Sequence, residues 1–133
     1  MIPPFTDDGY LPPGAHPATL DEVAERFGQA SEVRRVQVES VRWLVDAAKR
    51  AGVTRLVING SFVTDALEPN DVDCVLLVDD RFPLDPAAGD ELAEGLPFLE
   101  LQIVRYDAFQ VLVGEFFATD RLNRPKGVVE VIL

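Results

Sequence analysis

Apolar residues in this 133-residue chain recur with two different spacings, and the switches between them predict its elements. Thr19-Leu20-Asp21-Glu22 has the form of a capping box, which opens a short helix running to Phe27 and stopped by Gly28. Ser31 caps a longer helix that continues to about Ala51, with Gly52 as its end. Val33, Val36, Val41, Leu44, Val45 and Ala48 form its apolar side; Arg34, Arg35, Arg42, Lys49 and Arg50 form a basic side that reads as a solvated face. The pattern then shortens into strands at Arg55 to Asn59 and at Val72 to Val78. Asp79 to Pro83 is a turn region, and Asp90 to Leu96 a short helix bounded by Gly95 and Pro97. In a strand from Phe98 to Val104, Glu100, Gln102 and Val104 fall on one face and Leu99, Leu101 and Ile103 on the other. Tyr106 to Ala118 reads as a helix with Phe109, Leu112, Val113, Phe116 and Phe117 apolar, Asp120 to Lys126 as a polar loop, and Gly127 to Leu133 as a last strand.

Residues 1–18 stand apart. Pro3-Pro4, Pro12-Pro13 and Pro17 favour extended polyproline geometry, and Phe5, Tyr10 and Leu11 are spaced to anchor such an arm on the domain. His16, the single histidine, fits a hydrogen bond that fixes the arm. The chain thus divides into a Pro-rich N-terminal arm, 1–18, and one mixed α+β domain, 19–133.

Composition narrows the function classes. With 23 acidic and 12 basic side chains the formal charge is −11, which argues against non-specific binding to a nucleic-acid backbone and suits metal ions or cationic partners. One cysteine, Cys74, excludes an internal disulfide and fits a reducing compartment; it reads as a small core residue. No apolar run approaches a membrane span and the N-terminus lacks a signal core, so a cytoplasmic location is expected. Trp43 reads as a packing residue on its helix, and Val131-Ile132-Leu133 as an apolar segment able to pair across a sheet edge in a homodimer.

The chemistry gathers at Asn59-Gly60-Ser61 and, nine residues on, Asp71-Val72-Asp73. Carboxylates at i and i+2 of a strand point to one face and repel each other unless a cation or proton lies between them. Hard dications such as Mg²⁺ are held by carboxylates together with substrate phosphates, and a Gly-Ser at the mouth of a helix offers backbone N–H groups to a phosphate. Asp73 precedes five apolar residues and should be drawn into the sheet, where a charged group needs a partner.

Gly60-Ser61, the nine-residue spacer and Asp71-Val72-Asp73, set between two apolar strands, resemble the core motif of the DNA polymerase β-type nucleotidyltransferase superfamily. Leu11 to Thr19, Gly60 to Thr64, Pro69 to Asp73 and Pro125 to Val129 further resemble a family of small, uncharacterised bacterial nucleotidyltransferase-like proteins. The resemblance implies a small mixed sheet flanked by helices. It implies that Asp71, Asp73 and a third carboxylate hold Mg²⁺ ions bridging nucleotide phosphates, and that Gly60 and Ser61 hold the triphosphate. Glu100, on the third strand, is the choice for that third carboxylate over Asp107, which lies past the strand. No Lys or Arg stands between Arg55 and Arg81, so the cation a triphosphate requires must come from elsewhere, with Lys126 the candidate for phosphate contact. Two functions follow: transfer of a nucleoside monophosphate from an NTP to a hydroxyl acceptor, or a catalytically degenerate module binding a protein partner as an antitoxin, immunity or regulatory protein.

Overall fold

A computed structural model describes residues 2–116 and 118–133; Phe117 and the side chain of Phe116, both assigned above to a helix's apolar side, lie outside the described residues. The elements are β1 (Ala15–Ala18), α1 (Leu20–Phe27), α2 (Glu32–Ala51), β2 (Arg55–Asn59), β3 (Val72–Leu77), α3 (Pro86–Glu94), β4 (Leu99–Val104), α4 (Tyr106–Val111) and β5 (Val128–Val131). A 3-10 turn at Gly60–Val63 follows β2, and a π turn at Leu112–Phe116 follows α4. Among the described residues no helix is long and apolar enough to cross a membrane.

Local chemistry accounts for the helix ends. The Glu22 N–H donates to Thr19 Oγ1 at 3.2 Å and the Thr19 N–H donates to Glu22 Oε1 at 3.1 Å, completing the capping box of α1. Ser31 Oγ accepts from the Arg34 N–H at the start of α2, and Gly52 closes it in the left-handed conformation at φ 81°. α3 starts at Pro86 rather than at Asp90, because Asp85 caps the Ala87 N–H and proline is suited to the first helical position. The single helix expected from Tyr106 instead loosens at Leu112 into the π turn, which contains Gly114.

The sheet has the order β1-β5-β2-β3-β4, with β1 parallel to β5, β4 parallel to β3, and β2 antiparallel to both its neighbours. Two sequence expectations change here. Residues 15–18, assigned above to the Pro-rich arm, form an edge strand of the sheet, where Pro17 is tolerated because one side of an edge strand donates no ladder bond. β5 is interior, covered by β1 on its outer side, so Val131-Ile132-Leu133 presents no open edge for a second copy. Upstream of β1, Phe5 lies 6.2 Å from Phe27 between ring centres and Leu11 is fully buried; within β1, His16 Nε2 lies 2.6 Å from the Pro12 carbonyl oxygen.

One sheet face carries Leu56, Ile58, Cys74, Leu76, Val129 and Val131 into the main core, against α1, α2 and α3, with Trp43 packed at its border. The other carries Val57, Val75, Leu77 and Val128 beneath Phe109 of α4. Alternation places Asn59, Asp73, Glu100 and Gln102 on this second face as well, beyond the apolar strip.

The basic side of α2 is not uniformly solvated. Arg34 is 2% exposed and Val36 48%, the reverse of the sequence expectation, because the buried stripe runs through positions 34, 37, 38, 41, 44, 45 and 48. Arg34 gives its guanidinium to the carbonyls of Phe27, Ser61, Phe62, Thr64 and Ala66. Gln37, one turn on, donates to the Pro69 carbonyl at 2.6 Å. The connection from Ser61 to Pro69 is thereby tied to α2 by side chains rather than by secondary structure of its own. Replacing Arg34 with Ala strands several carbonyls without donors, and each buried unsatisfied polar group costs about 1–3 kcal/mol. Urea denaturation of Arg34→Ala is therefore expected to show a loss of about 3–5 kcal/mol, with Arg34→Lys recovering less than half because an ammonium cannot span the same fork of acceptors.

Candidate functional site

The site begins with strand register. Asp73 on β3 stands directly opposite Asn59 on β2 and, on its other side, directly opposite Glu100 on β4. Directly paired residues share a face, so the three form one row across the sheet. Asp71, just before β3, joins them: Asp71, Asp73 and Glu100 each offer a carboxylate oxygen within 4.8 Å of the others. The row ends in a cleft of about 420 Å³ whose lining includes Asn59, Asp73, Glu100, Leu101 and Gln102. Phe109 and the apolar strip close the face farther along and leave this end open. Asp107, the other carboxylate considered, lies in the first turn of α4.

Gly60 is required by the same geometry. It has φ 76°, and a Cβ there would collide with Asp73 Oδ2. The Gly-Ser dipeptide opens a single 3-10 turn rather than a helix, and the Ser61 carbonyl accepts from the Thr64 N–H at 3.2 Å. The absence of a side chain at 60 thus lets the carboxylate of Asp73 lie against the turn.

Burial, then the neighbouring Asp71 charge and the hydrogen bond and charge of Glu100, push the Asp73 carboxyl up to about 6, with Lys126 pulling the other way. Burial and the charge of Glu100 raise Asp71 as well, against a hydrogen bond from Asp73 that lowers it. Cys74 also borders the cleft, but it belongs to the core cluster of the opposite face, and burial pushes its thiol up. Three converging carboxylates with no sulfur or imidazole donor fit a hard dication, Mg²⁺ or Mn²⁺, and the crowding of like charge is what such an ion relieves.

Ser61 and Lys126 meet in a second groove. Its volume is about 840 Å³, and its lining includes Tyr10, Ser61, Arg121, Arg124 and Lys126. The loop from Asp120 to Lys126 is organised by Asp120. That carboxylate accepts from the Leu122 and Arg124 N–H groups, from Arg124 Nε at 2.7 Å and from the Tyr10 hydroxyl at 2.9 Å. Burial works against the charged form of Asp120, but these hydrogen bonds outweigh it and hold its pKa well below the usual carboxylate range. Arg124 also reaches Asp8 at 3.6 Å, whereas Arg121 and Lys126 have no ion-pair partner among the described residues. The cations missing between Arg55 and Arg81 are thus brought to Ser61 by a loop sixty residues later. Sequence periodicity cannot reveal that approach. Asn59, given no role of its own by the sequence, also joins the site, and its signal was a polar residue ending an apolar strand on the face of Asp73.

Fold and site define a small single-domain α+β protein with an oxygen-donor cleft at one end of a mixed sheet. The chain belongs to a family of unknown function (DUF6932), which it matches over residues 3–132. No curated protein and no solved structure matches it.

The raised pKa of Asp73 carries a stability consequence. In the metal-free protein its contribution is fully present below the unfolded value of 3.8 and is lost as pH rises through about 6. Asp73→Asn keeps the neutral form at every pH. Its thermal midpoint should match wild type at pH 4 and exceed it at pH 7.5 by about 3 °C, on the order of 1 kcal/mol after allowing for solvent screening. Calorimetric scans of both metal-free proteins at the two pH values measure the difference.

Proposed function

We propose that this protein is a metal-dependent nucleotidyltransferase that moves a nucleoside monophosphate from an NTP to a hydroxyl acceptor. The observation that carries the reading is the convergence of Asp71, Asp73 and Glu100 beside the Gly60–Ser61 turn. A bound Mg²⁺ would supply charge neutralisation on the phosphate oxygens and ease ionisation of the acceptor hydroxyl. Asp71, Asp73 and Glu100, the last exposed on the edge strand β4, would hold that ion. Ser61 and its turn, with Lys126 and Arg121 across the groove, bind the triphosphate, supplying the cations that the stretch between Arg55 and Arg81 lacks. The acceptor hydroxyl gives up its proton to solvent as its oxygen bonds to the α-phosphorus, the bond from that phosphorus to the bridging oxygen breaks, and pyrophosphate leaves with that electron pair.

Titration calorimetry with ATP, CTP, GTP and UTP is expected to give Mg²⁺-dependent binding of at least one NTP. Asp73→Asn should abolish it, and Lys126→Ala should weaken it about tenfold, the worth of one well-placed phosphate contact. Binding should also decline as pH falls through about 6, since the protonated Asp73 is no ligand. No binding of any NTP at millimolar Mg²⁺ would sink the enzymatic reading and leave the protein-binding module.

A further inference from the structure

We propose that Asn59 is a positioning residue for the acidic cleft, whose side-chain amide fixes Asp73 when a divalent cation sits among the three carboxylates. The inference rests on the metal reading of the cleft given above.

Asn59 is 1% exposed, and its Nδ2 is a buried donor with no hydrogen-bond partner. Buried N–H groups without partners are rare in native proteins and ask for an explanation. Asn59 is also one of the residues lining the cleft of Asp73 and Glu100, so the orphan donor and the carboxylate cluster meet in one place.

Position decides what the donor serves. Asp73 lies between β2 and β4, with Asn59 directly opposite on one flank and Glu100 directly opposite on the other. Ile58 faces the main core and Gly60 has no side chain, so Asn59 is the polar side chain that β2 offers to Asp73. Asp73 Oδ2 already lies against Gly60, immediately after Asn59. A cation shared by Asp71, Asp73 and Glu100 would draw on Asp73 from the side of the other two carboxylates. The remaining lone pairs of Asp73, on the β2 flank, then need a donor, and the amide of Asn59 is there to give one. Ligating carboxylates are commonly held by such outer hydrogen bonds, and their removal costs 10- to 100-fold in metal affinity.

The same geometry separates a positioning role from a merely structural one. An asparagine kept for packing or folding contributes to the metal-free protein. A donor that waits for the loaded state burdens that protein, so its removal leaves metal-free stability unchanged or improved.

Asn59→Leu, which keeps the side-chain shape and removes the donor, is compared with wild type in two measurements: Mn²⁺ titration followed by electron paramagnetic resonance, and the thermal midpoint without metal. The expected result is a loss of Mn²⁺ affinity of at least tenfold with a metal-free midpoint no lower than wild type. Affinity within threefold of wild type, or a lowered metal-free midpoint, overturns the assignment while leaving the metal site standing. Failure of the wild type to bind Mn²⁺ overturns both. Should Asn59→Leu not fold, the smaller Asn59→Ala is read for Mn²⁺ affinity by the same threshold.

Discussion

A single buried guanidinium holds together what the strands leave loose. Arg34 leaves α2 and closes on main-chain carbonyls from Phe27 to Ala66, with no carboxylate among its hydrogen-bond partners. Burial lowers its pKa, opposed by the charge of Asp65, and its Cζ lies 5.4 Å from the centre of the Phe62 ring. A charge buried in this way is tolerated only when its donors are satisfied, and here they are satisfied by the Phe27 carbonyl and by the segment that joins β2 to β3. That segment starts at the Gly60 turn and ends at Asp71. Without Arg34, and without Gln37 on Pro69, the turn and the aspartates would be linked by a loop with no ordering force of its own, and their spacing in sequence would fix no distance in space.

The exposed end of the sheet then acquires its character from pairing alone. Along one face the composition changes in steps: Arg55 and Glu130 form an ion pair at 2.6 Å, the apolar strip lies under Phe109, and the row of Asn59, Asp73 and Glu100 comes last. Arg55 also sits 4.9 Å from the centre of the Phe109 ring, so the closed end is held by a cation satisfied on two sides. The open end has the opposite balance, with three acids together and one distant lysine charge. Placing like charges in register on neighbouring strands is unfavourable for folding, and such arrangements concentrate at functional sites.

Much of this was legible from residues. The capping box at Thr19, the cap at Ser31 and the stop at Gly52 are local chemistry, and local chemistry survives folding unchanged. Asp71 and Asp73 follow from a period of two, and the alternation along β4 put Glu100 and Gln102 on one face. That β4 runs parallel to β3, setting Glu100 beside Asp73, is tertiary information. So is β1, whose proline and histidine hide a strand that exists only because β5 lies beside it. Arg34 occupies a middle ground. Counting back from Val38, Val41 and Val45 by threes and fours reaches it, but hydropathy scores an arginine as surface, and the counting is overruled unless its acceptors are known.

Charge distribution gives the architecture its last consistent feature. The chain is strongly acidic, and most of its arginines are spent close to home: Arg42, Arg50, Arg55, Arg81 and Arg105 are paired with carboxylates, and Arg26, Arg34 and Arg35 bind carbonyls. Lys126 and Arg121 differ, lining the groove at Ser61 with no carboxylate within ion-pair distance among the described residues, although the Lys126 charge is felt at Asp73. A positive groove next to an acidic cleft, on a molecule of net charge −11, is electrostatically unbalanced on both sides of a single turn. A cation alone would answer only the cleft, and an anion alone only the groove. A polyphosphate carried with its dication would answer both, and that complementarity, more than either half, is the physical ground of the proposal that the two are one site.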